Sequence, residues 1–141
     1  MSVVDGRVSF EALGTVETAA YVTERLGLAP TQAAEIGDLV GRGLTGRRHE
    51  VALWSLDQDF DREGLEPLDR ALSCLLAAFD GKEAVLDELS RSFEMRVRCY
   101  GSSDSTQGGF WLSADVMDRL GRLGRFGVSF YCTVYLDDGT E

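Results

Sequence analysis

The sequence predicts a single α+β domain over residues 1–141, a two-layer sandwich in which helices cover one face of an antiparallel or mixed sheet. The chain has 141 residues, the size of one domain, and 44% of them are hydrophobic, which suffices for a packed core. Segments with alternating apolar residues are interspersed with segments whose apolar residues recur at helical spacing. Their order is β-α-β, a helix pair and β-α-β, which favours a ferredoxin-like arrangement.

The first elements are a strand and a helix. Residues 7–13 alternate between apolar and polar side chains, as a half-buried strand does. A helical stripe follows over residues 16–26, with Thr15 as its expected N-cap. Gly27 is suited to the left-handed end of that helix, and Pro30 prevents the helix from continuing.

The middle of the chain supplies loops, a second strand and the helix pair. Residues 31–50 are rich in glycine, which predicts a loop with a short helix near residues 33–39. The next segments are a strand at 51–56, an acidic loop at 57–66, a helix from Pro67 to Phe79 and a helix at 82–92. Two helices joined by so short a turn are expected to pack antiparallel.

The last third repeats the strand and helix pattern. Residues 93–100 alternate as a strand, and Ser113 is placed to cap a helix over residues 114–123. Between them lie a polar loop at 101–109 and a short extended piece at 110–112. The final strand is predicted at residues 128–136.

Composition excludes several classes of function. The chain has 24 acidic and 14 basic residues, for a formal charge of -10, and so acidic a protein does not suit the phosphates of nucleic acid. No segment approaches the ~18 apolar residues of a membrane span, and the first residues do not resemble a signal peptide. We therefore expect a cytoplasmic protein with no nucleic-acid and no membrane partner.

The three cysteines predict neither a metal ribbon nor a redox motif. Cys74, Cys99 and Cys132 are far apart, and no pair has C-x-x-C spacing. Each lies in an apolar segment, so we expect all three to be buried as small hydrophobic side chains. Free cysteines are typical of a reducing compartment.

Several short motifs, distributed from residue 8 to residue 135, resemble those of a known family. They are Leu26-Gly27-Leu28-Ala29-Pro30-Thr31, Gly37-Asp38, Trp54-Ser55-Leu56, Gly108-Gly109-Phe110-Trp111-Leu112-Ser113, the segment from Leu120 to Gly124, and the final strand with its tyrosines. In order and spacing they resemble domain of unknown function 4279, a large and mostly bacterial family of small proteins. The resemblance implies the fold and a bacterial, intracellular setting, but neither an activity nor catalytic residues.

An Arg- and Tyr-bearing sheet face is the main candidate binding site. Strand alternation places one set of side chains opposite the core: Arg96, Arg98, Tyr100, Tyr131, Thr133 and Tyr135. Arginine and tyrosine are enriched at the hot spots of protein interfaces. The alternative is ordinary cross-strand pairing on a solvated face.

A metal site is the second candidate. Asp57, Asp59 and Asp61 alternate as in the first half of a calcium-binding loop. The sixth position of such a loop is glycine and the twelfth is a bidentate glutamate, whereas this chain has Arg62 and Leu68 there. A solvated acidic loop fits the same pattern, so we expect no cofactor and keep the three aspartates as candidate ligands.

Aromatic residues suggest a third site, a pocket between the sheet and the helices. Trp54, Phe110 and Trp111 could line it, although tryptophans in apolar strand segments usually anchor a core. His49 is the single histidine and has no nucleophile motif near it, so an exposed loop position is expected and no catalytic residue is predicted.

These observations favour a non-catalytic interaction protein whose partner is another protein. A toxin-neutralising, immunity-type protein is one specific form, because acidic surfaces speed association with basic partners. The alternatives are a small-ligand or sensory domain and a metal-dependent enzyme that uses the acidic loop.

Overall fold

A computed structural model of the chain describes residues 5–41, 43–60, 67–103, 111–124 and 127–134, and for residues 5, 102, 103 and 128–134 it describes the backbone. The elements, in chain order, are β1 (Asp5–Gly14), α1 (Ala19–Leu26), β2 (Gln32–Ala34), β3 (Ala52–Phe60), α2 (Pro67–Ala77), α3 (Glu83–Leu89), β4 (Glu94–Ser103), α4 (Ala114–Leu123) and β5 (Gly127–Val134).

The strands form one mixed sheet in the order β2-β3-β1-β4-β5. The pairs β2–β3, β3–β1 and β1–β4 are antiparallel, and β4 and β5 are parallel neighbours joined through α4. The first four strands have the connectivity of a ferredoxin-like β-α-β-β-α-β unit, with α3 following α2 and with α4 and β5 added at the end. The predicted α+β class is confirmed.

Strand alternation divides β1 between the two faces of the sheet. Val8, Phe10 and Ala12 are fully buried and face the helices, where Phe10 lies 4.6 Å from Phe79 between ring centroids. On the same side are Trp54 of β3, Val97 and Cys99 of β4, and the buried leucines of α2 and α3. Burial of this apolar layer supplies the main driving force for folding.

Two helices begin at side-chain caps. The Thr18 hydroxyl accepts a hydrogen bond from the Tyr21 amide, so α1 starts later than predicted and Thr15 is not its cap. Gly27 ends α1 with φ of 67°, as predicted. Ser113 caps α4 as predicted, and its own amide donates to the Asp69 carboxylate at 2.6 Å, which ties α4 to α2.

The structure corrects two predictions for the middle of the chain. Residues 32–34 form β2, so the short helix expected near residues 33–39 is wrong. β3 runs on to Phe60, so Asp57 and Asp59 lie in a strand and not in an acidic loop, because nine residues of β1 pair with this strand. Residues 61–66, the remainder of the predicted loop, lie outside the described residues.

The cysteines also differ from expectation. Cys99 is buried, and burial raises the pKa of its thiol from 9.0 to about 12. Cys74 is exposed on α2, so the prediction that it is buried is wrong. The side chain of Cys132 lies outside the described residues.

The described helices are short. The longest, α2, has 11 residues, and no helix in the described part of the chain is long and apolar enough to cross a bilayer.

Candidate binding face

The side chains of the sheet face opposite the helices form rows that cross three strands. The pairing register sets β3, β1 and β4 side by side in three such rows, Asp59–Arg7–Tyr100, Asp57–Ser9–Arg98 and Ser55–Glu11–Arg96. We call these nine residues the polar face. It carries three arginines and three carboxylates, so it is electrically balanced although the whole chain has a charge of -10.

Asp57 is the most deeply buried carboxylate of the polar face, with 4% of its side chain exposed. Its carboxylate accepts hydrogen bonds from the Ser55 hydroxyl at 2.5 Å and from the Gln32 amide at 3.1 Å. Arg7 lies 3.7 Å away, and the Asp57 amide donates to the Thr31 hydroxyl at 2.9 Å. These hydrogen bonds and the nearby guanidinium offset the cost of burying the carboxylate's charge. They also hold the carboxylate in one position.

Arg7 joins two of the rows. Its Nε donates to the Asp59 carboxylate at 2.6 Å, while a terminal nitrogen faces Asp57. The hydrogen bond to Asp59 raises the pKa of Arg7, and the charges of Asp59 and Asp57 add to that effect. The Arg7 side chain is nearly half exposed, so it remains accessible to a partner while its direction is set by the two carboxylates.

At the other side of the polar face, one carboxylate serves two guanidinium groups. Glu11 accepts a hydrogen bond from Arg96 at 2.7 Å and another from Arg98 at 3.4 Å. The Arg98 guanidinium carbon also lies 4.8 Å from the centre of the Tyr100 ring, within the range of a cation–π contact. The β4 side of the face is therefore positive, and the β3 side, with two aspartates against one arginine, is negative.

A wide depression of ≈ 530 Å³ lies on this face. Residues that line it belong to β1, β2, β3 and β4, and they include Arg7, Glu11, Asp57 and Tyr100. Gly6 at its edge allows the close approach of β1 and β4, because a Cβ at that position would lie 1.8 Å from the Tyr100 carbonyl oxygen. The lining is charged and polar, unlike the mostly apolar pockets that enclose small molecules.

The structure brings together half of the predicted Arg- and Tyr-bearing set. Arg96, Arg98 and Tyr100 lie on the polar face, opposite the buried Val97 and Cys99. In the backbone register of β4 and β5, Tyr131 pairs with Tyr100 and Thr133 pairs with Ser102. Tyr135 lies outside the described residues.

The structure places the aromatic candidates in different surroundings. Trp54 is fully buried on the helix side of the sheet, where its indole donates to the Thr23 hydroxyl at 3.0 Å. Trp111, just before α4, is 54% exposed. Phe110 lies outside the described residues. Trp54 thus has the contacts of a core anchor.

The candidate metal ligands are engaged with protein groups. Asp57 and Asp59 both face Arg7, and Asp61 lies outside the described residues. Among the described residues no cluster of three or more His, Cys, Asp or Glu could hold a metal ion. His49 lies in the loop after β2, half-buried, with its backbone paired to Gly37 and Asp38.

Four members of the polar face were not among the residues predicted from the sequence, namely Arg7, Ser9, Glu11 and Ser55. The signal for three of them is present in the sequence, because residues 7–13 alternate as a strand whose side chains at positions 7, 9 and 11 are polar. The alternation of polar and apolar residues does not predict which strands are neighbours in the sheet. The pairing of β1 with both β3 and β4 turns these scattered polar residues into one surface.

Comparison with known proteins identifies the family. A family model described as Domain of unknown function (DUF4279) matches residues 4–135, nearly the whole chain. Neither the curated proteins nor the solved structures contain a significant match. The match confirms the resemblance seen in the short motifs, and the family's description specifies no activity. The chain belongs to the DUF4279 family.

Proposed function

We propose that this protein is a non-catalytic binding protein that docks another protein on its polar face. The observation that carries the proposal is an ordered set of partly exposed arginines, held by carboxylates of the face, with a tyrosine in contact with one of them. Arg7, Arg96 and Arg98 each have a carboxylate partner on the same face. Side chains that are already ordered lose little entropy on binding, which favours their use as interface anchors.

The charges of the polar face determine which charges we expect on the partner's surface. The partner is expected to present acidic groups against Arg96 and Arg98, and a basic group against the exposed Asp59. The rest of this chain is acidic, so a partner with an excess of positive charge would associate fastest. A toxin-neutralising, immunity-type protein of the bacterial cytoplasm has this character, and we propose it as the specific form of the function.

The proposal is tested by using this protein and two single-residue variants as baits to capture a partner, where only one variant alters the polar face. Wild-type protein, Arg98→Ala and Arg122→Ala would be used as baits in a bacterial lysate of the native host. Arg122 is the matched control, because it is an exposed arginine of α4 with its own carboxylate partner, Asp118. The proposal expects one protein to be retained by wild type and Arg122→Ala, and lost with Arg98→Ala. A partner retained equally by all three baits would contradict the proposal.

A small-ligand or sensory function is the second candidate, and the depression on the polar face favours it. Its volume of ≈ 530 Å³ would admit a small polar molecule. A screen of charged metabolites by thermal melting is the test, because a bound ligand raises the melting temperature. A ligand whose shift disappears in Asp57→Asn, a change on the floor of the depression, would establish this function in place of protein docking.

A further inference from the structure

The outer side of β3 is paired with another strand over only part of its length. β2 pairs with residues 53–55 of β3, and β3 continues beyond them. Thr31, just before β2, donates its amide to the Ser55 carbonyl at 2.8 Å, and Pro30 before it has no amide to donate. In the described part of the chain, no strand pairs with the outer side of residues 57–60. We call this stretch of β3 the open edge.

The backbone of the open edge presents hydrogen-bonding groups to an incoming strand. The Ser55 carbonyl and the Asp57 amide both point to the outer side, where they bond to Thr31. The amide and carbonyl groups of every second residue in a strand point to the same side, so Asp59 also directs both groups outward. The Gln58 side chain donates to the Asp59 carbonyl at 3.3 Å, a long bond that the amide of an added strand would replace. Such an edge is a template for pairing with another chain.

Depressions flank the open edge on both faces of the sheet. Asp57 and Asp59 line the depression of ≈ 530 Å³ on the polar face. A second depression, of ≈ 240 Å³, lies on the helix side, where Gln58 and Phe60 line it together with the start of α2. The side chains of an added strand alternate between the two faces, so successive side chains would enter the two depressions in turn.

The helix-side depression suits a small uncharged side chain. Its lining combines the apolar Phe60 and Pro67 with the polar Gln58. The lining also contains one arginine, Arg70, and one aspartate, Asp59, so neither sign of charge is favoured. A water molecule's share of liquid volume is about 30 Å³, so the depression has room for a side chain of the size of threonine. Threonine is also common in strands.

The polar-face side of the open edge favours a basic side chain. Asp57 and Asp59 lie there against one arginine, Arg7. Arg7 contacts Oδ1 of Asp59, and 71% of the Asp59 side chain is exposed, so this carboxylate is accessible. The same charges disfavour a second copy of this chain, because pairing of two open edges would set aspartates beside aspartates. The occupant is therefore expected to be a basic segment of a different protein.

We propose that the open edge binds an extended segment of the partner protein as an added strand, antiparallel to β3 as β2 is. Basic side chains of the segment lie on the polar face, and small uncharged side chains enter the helix-side depression. Main-chain hydrogen bonds to Asp59 provide affinity, and the alternation of side chains provides specificity. The proposal rests on the proposed function, because the segment belongs to the protein that docks on the polar face.

A fluorescein-labelled octapeptide of alternating lysine and threonine is the probe, and fluorescence anisotropy measures its binding. Opposite Asp59 in an antiparallel pair, a lysine directs its side chain to the polar face and its amide to β3, whereas the threonine amides point away. N-methylation of the lysine amides should weaken binding at least about fivefold, and N-methylation of the threonine amides should leave binding unchanged. Both modified peptides keep the charge of the probe. Failure of the unmodified peptide to bind, or an equal effect of the two modifications, would overturn the proposal.

Two substitutions of one residue separate the backbone from the side chain. Asp59→Ala removes the carboxylate and keeps the amide, while Asp59→Pro also removes the outward amide. The backbone bonds of β3 to β1 come from Gln58 and Phe60, so both variants keep them. Asp59→Pro should bind the peptide at least about fivefold more weakly than Asp59→Ala does. Equal affinities of the two variants would contradict strand addition.

The captured partner distinguishes failure of this proposal from failure of the proposed function. A partner that is lost with Arg98→Ala but binds Asp59→Pro and Asp59→Ala equally would overturn strand addition and support docking on the polar face. A partner that binds Asp59→Ala more tightly than Asp59→Pro, and that Arg98→Ala retains fully, would support strand addition and contradict the role of the arginines.

Discussion

Glu11 on the central strand accepts a 2.7 Å hydrogen bond from Arg96 on β4, and the same carboxylate oxygen lies 3.4 Å from Arg98. The two partners are 85 residues apart in the chain, so only the pairing of β1 with β4 brings them together. The carboxylate is largely buried, and it separates two positive charges. It thus organises the positive side of the polar face.

Replacement of Glu11 by Gln should destabilise the protein. The two guanidinium groups would face each other without a balancing charge, and the loss is expected to be about 1–3 kcal/mol. Urea denaturation measures it. The control is Asp87→Asn, which removes an exposed pair with Arg91 and should change stability by less than about 0.5 kcal/mol. Equal effects of the two substitutions would contradict the structural role assigned to Glu11.

Asp57→Asn tests whether the Asp57 carboxylate stabilises the fold or binds a metal ion. We expect a loss of about 1–3 kcal/mol, because the substitution removes a buried charge that Arg7, Ser55 and Gln32 stabilise. The wild-type protein titrated with Ca²⁺ or Mn²⁺ should show no rise in melting temperature. A rise that Asp57→Asn abolishes would instead support a metal site at this carboxylate.

The two tryptophans should differ strongly in their contribution to stability. Trp54→Ala leaves a cavity in the core and removes the hydrogen bond to Thr23, so we expect a loss of about 3–5 kcal/mol. Trp111→Ala, at an exposed position, should cost less than about 0.5 kcal/mol. Chemical denaturation distinguishes the two, and comparable losses would mean that Trp111 also anchors the fold.

The buried thiol of Cys99 predicts a dependence on pH. Its pKa is raised from 9.0 to about 12, so the unfolded chain loses this proton at a lower pH than the folded one. The contribution of the protonated thiol to the free energy of unfolding is fully present below pH 9 and is lost between pH 9 and 12. Over that range the free energy of unfolding falls by about 1.4 kcal/mol per pH unit. Cys99→Ala should remove that slope. In the native protein at neutral pH, a thiol reagent should modify Cys74 before Cys99, and the reverse order would contradict the burial of Cys99.

Much of the fold follows from local patterns, and the exceptions have physical causes. The alternation of residues 93–100 and the stripe of residues 114–123 predicted β4 and α4 because their apolar faces are buried. β2 has three residues, too few for a period to be recognised. The segment with Asp57 and Asp59 was predicted as a loop because aspartate is rare in strands. It is a strand because the charges of both aspartates are balanced by Arg7 of the neighbouring strand. The candidate face depends on such long-range pairing, so the sequence predicted its β4 members and missed those of β1.

The central claim, that the polar face binds a protein, is tested most directly by calorimetric titration of the captured partner into the wild-type protein and three purified variants. Arg98 and Tyr100 are partly exposed and lie in contact with each other on the β4 side of the face, so Arg98→Ala and Tyr100→Ala should each weaken binding by at least about tenfold, as hot-spot residues do. The control, Arg122→Ala on α4, should bind as the wild type does. Wild-type affinity in both polar-face variants would contradict the account.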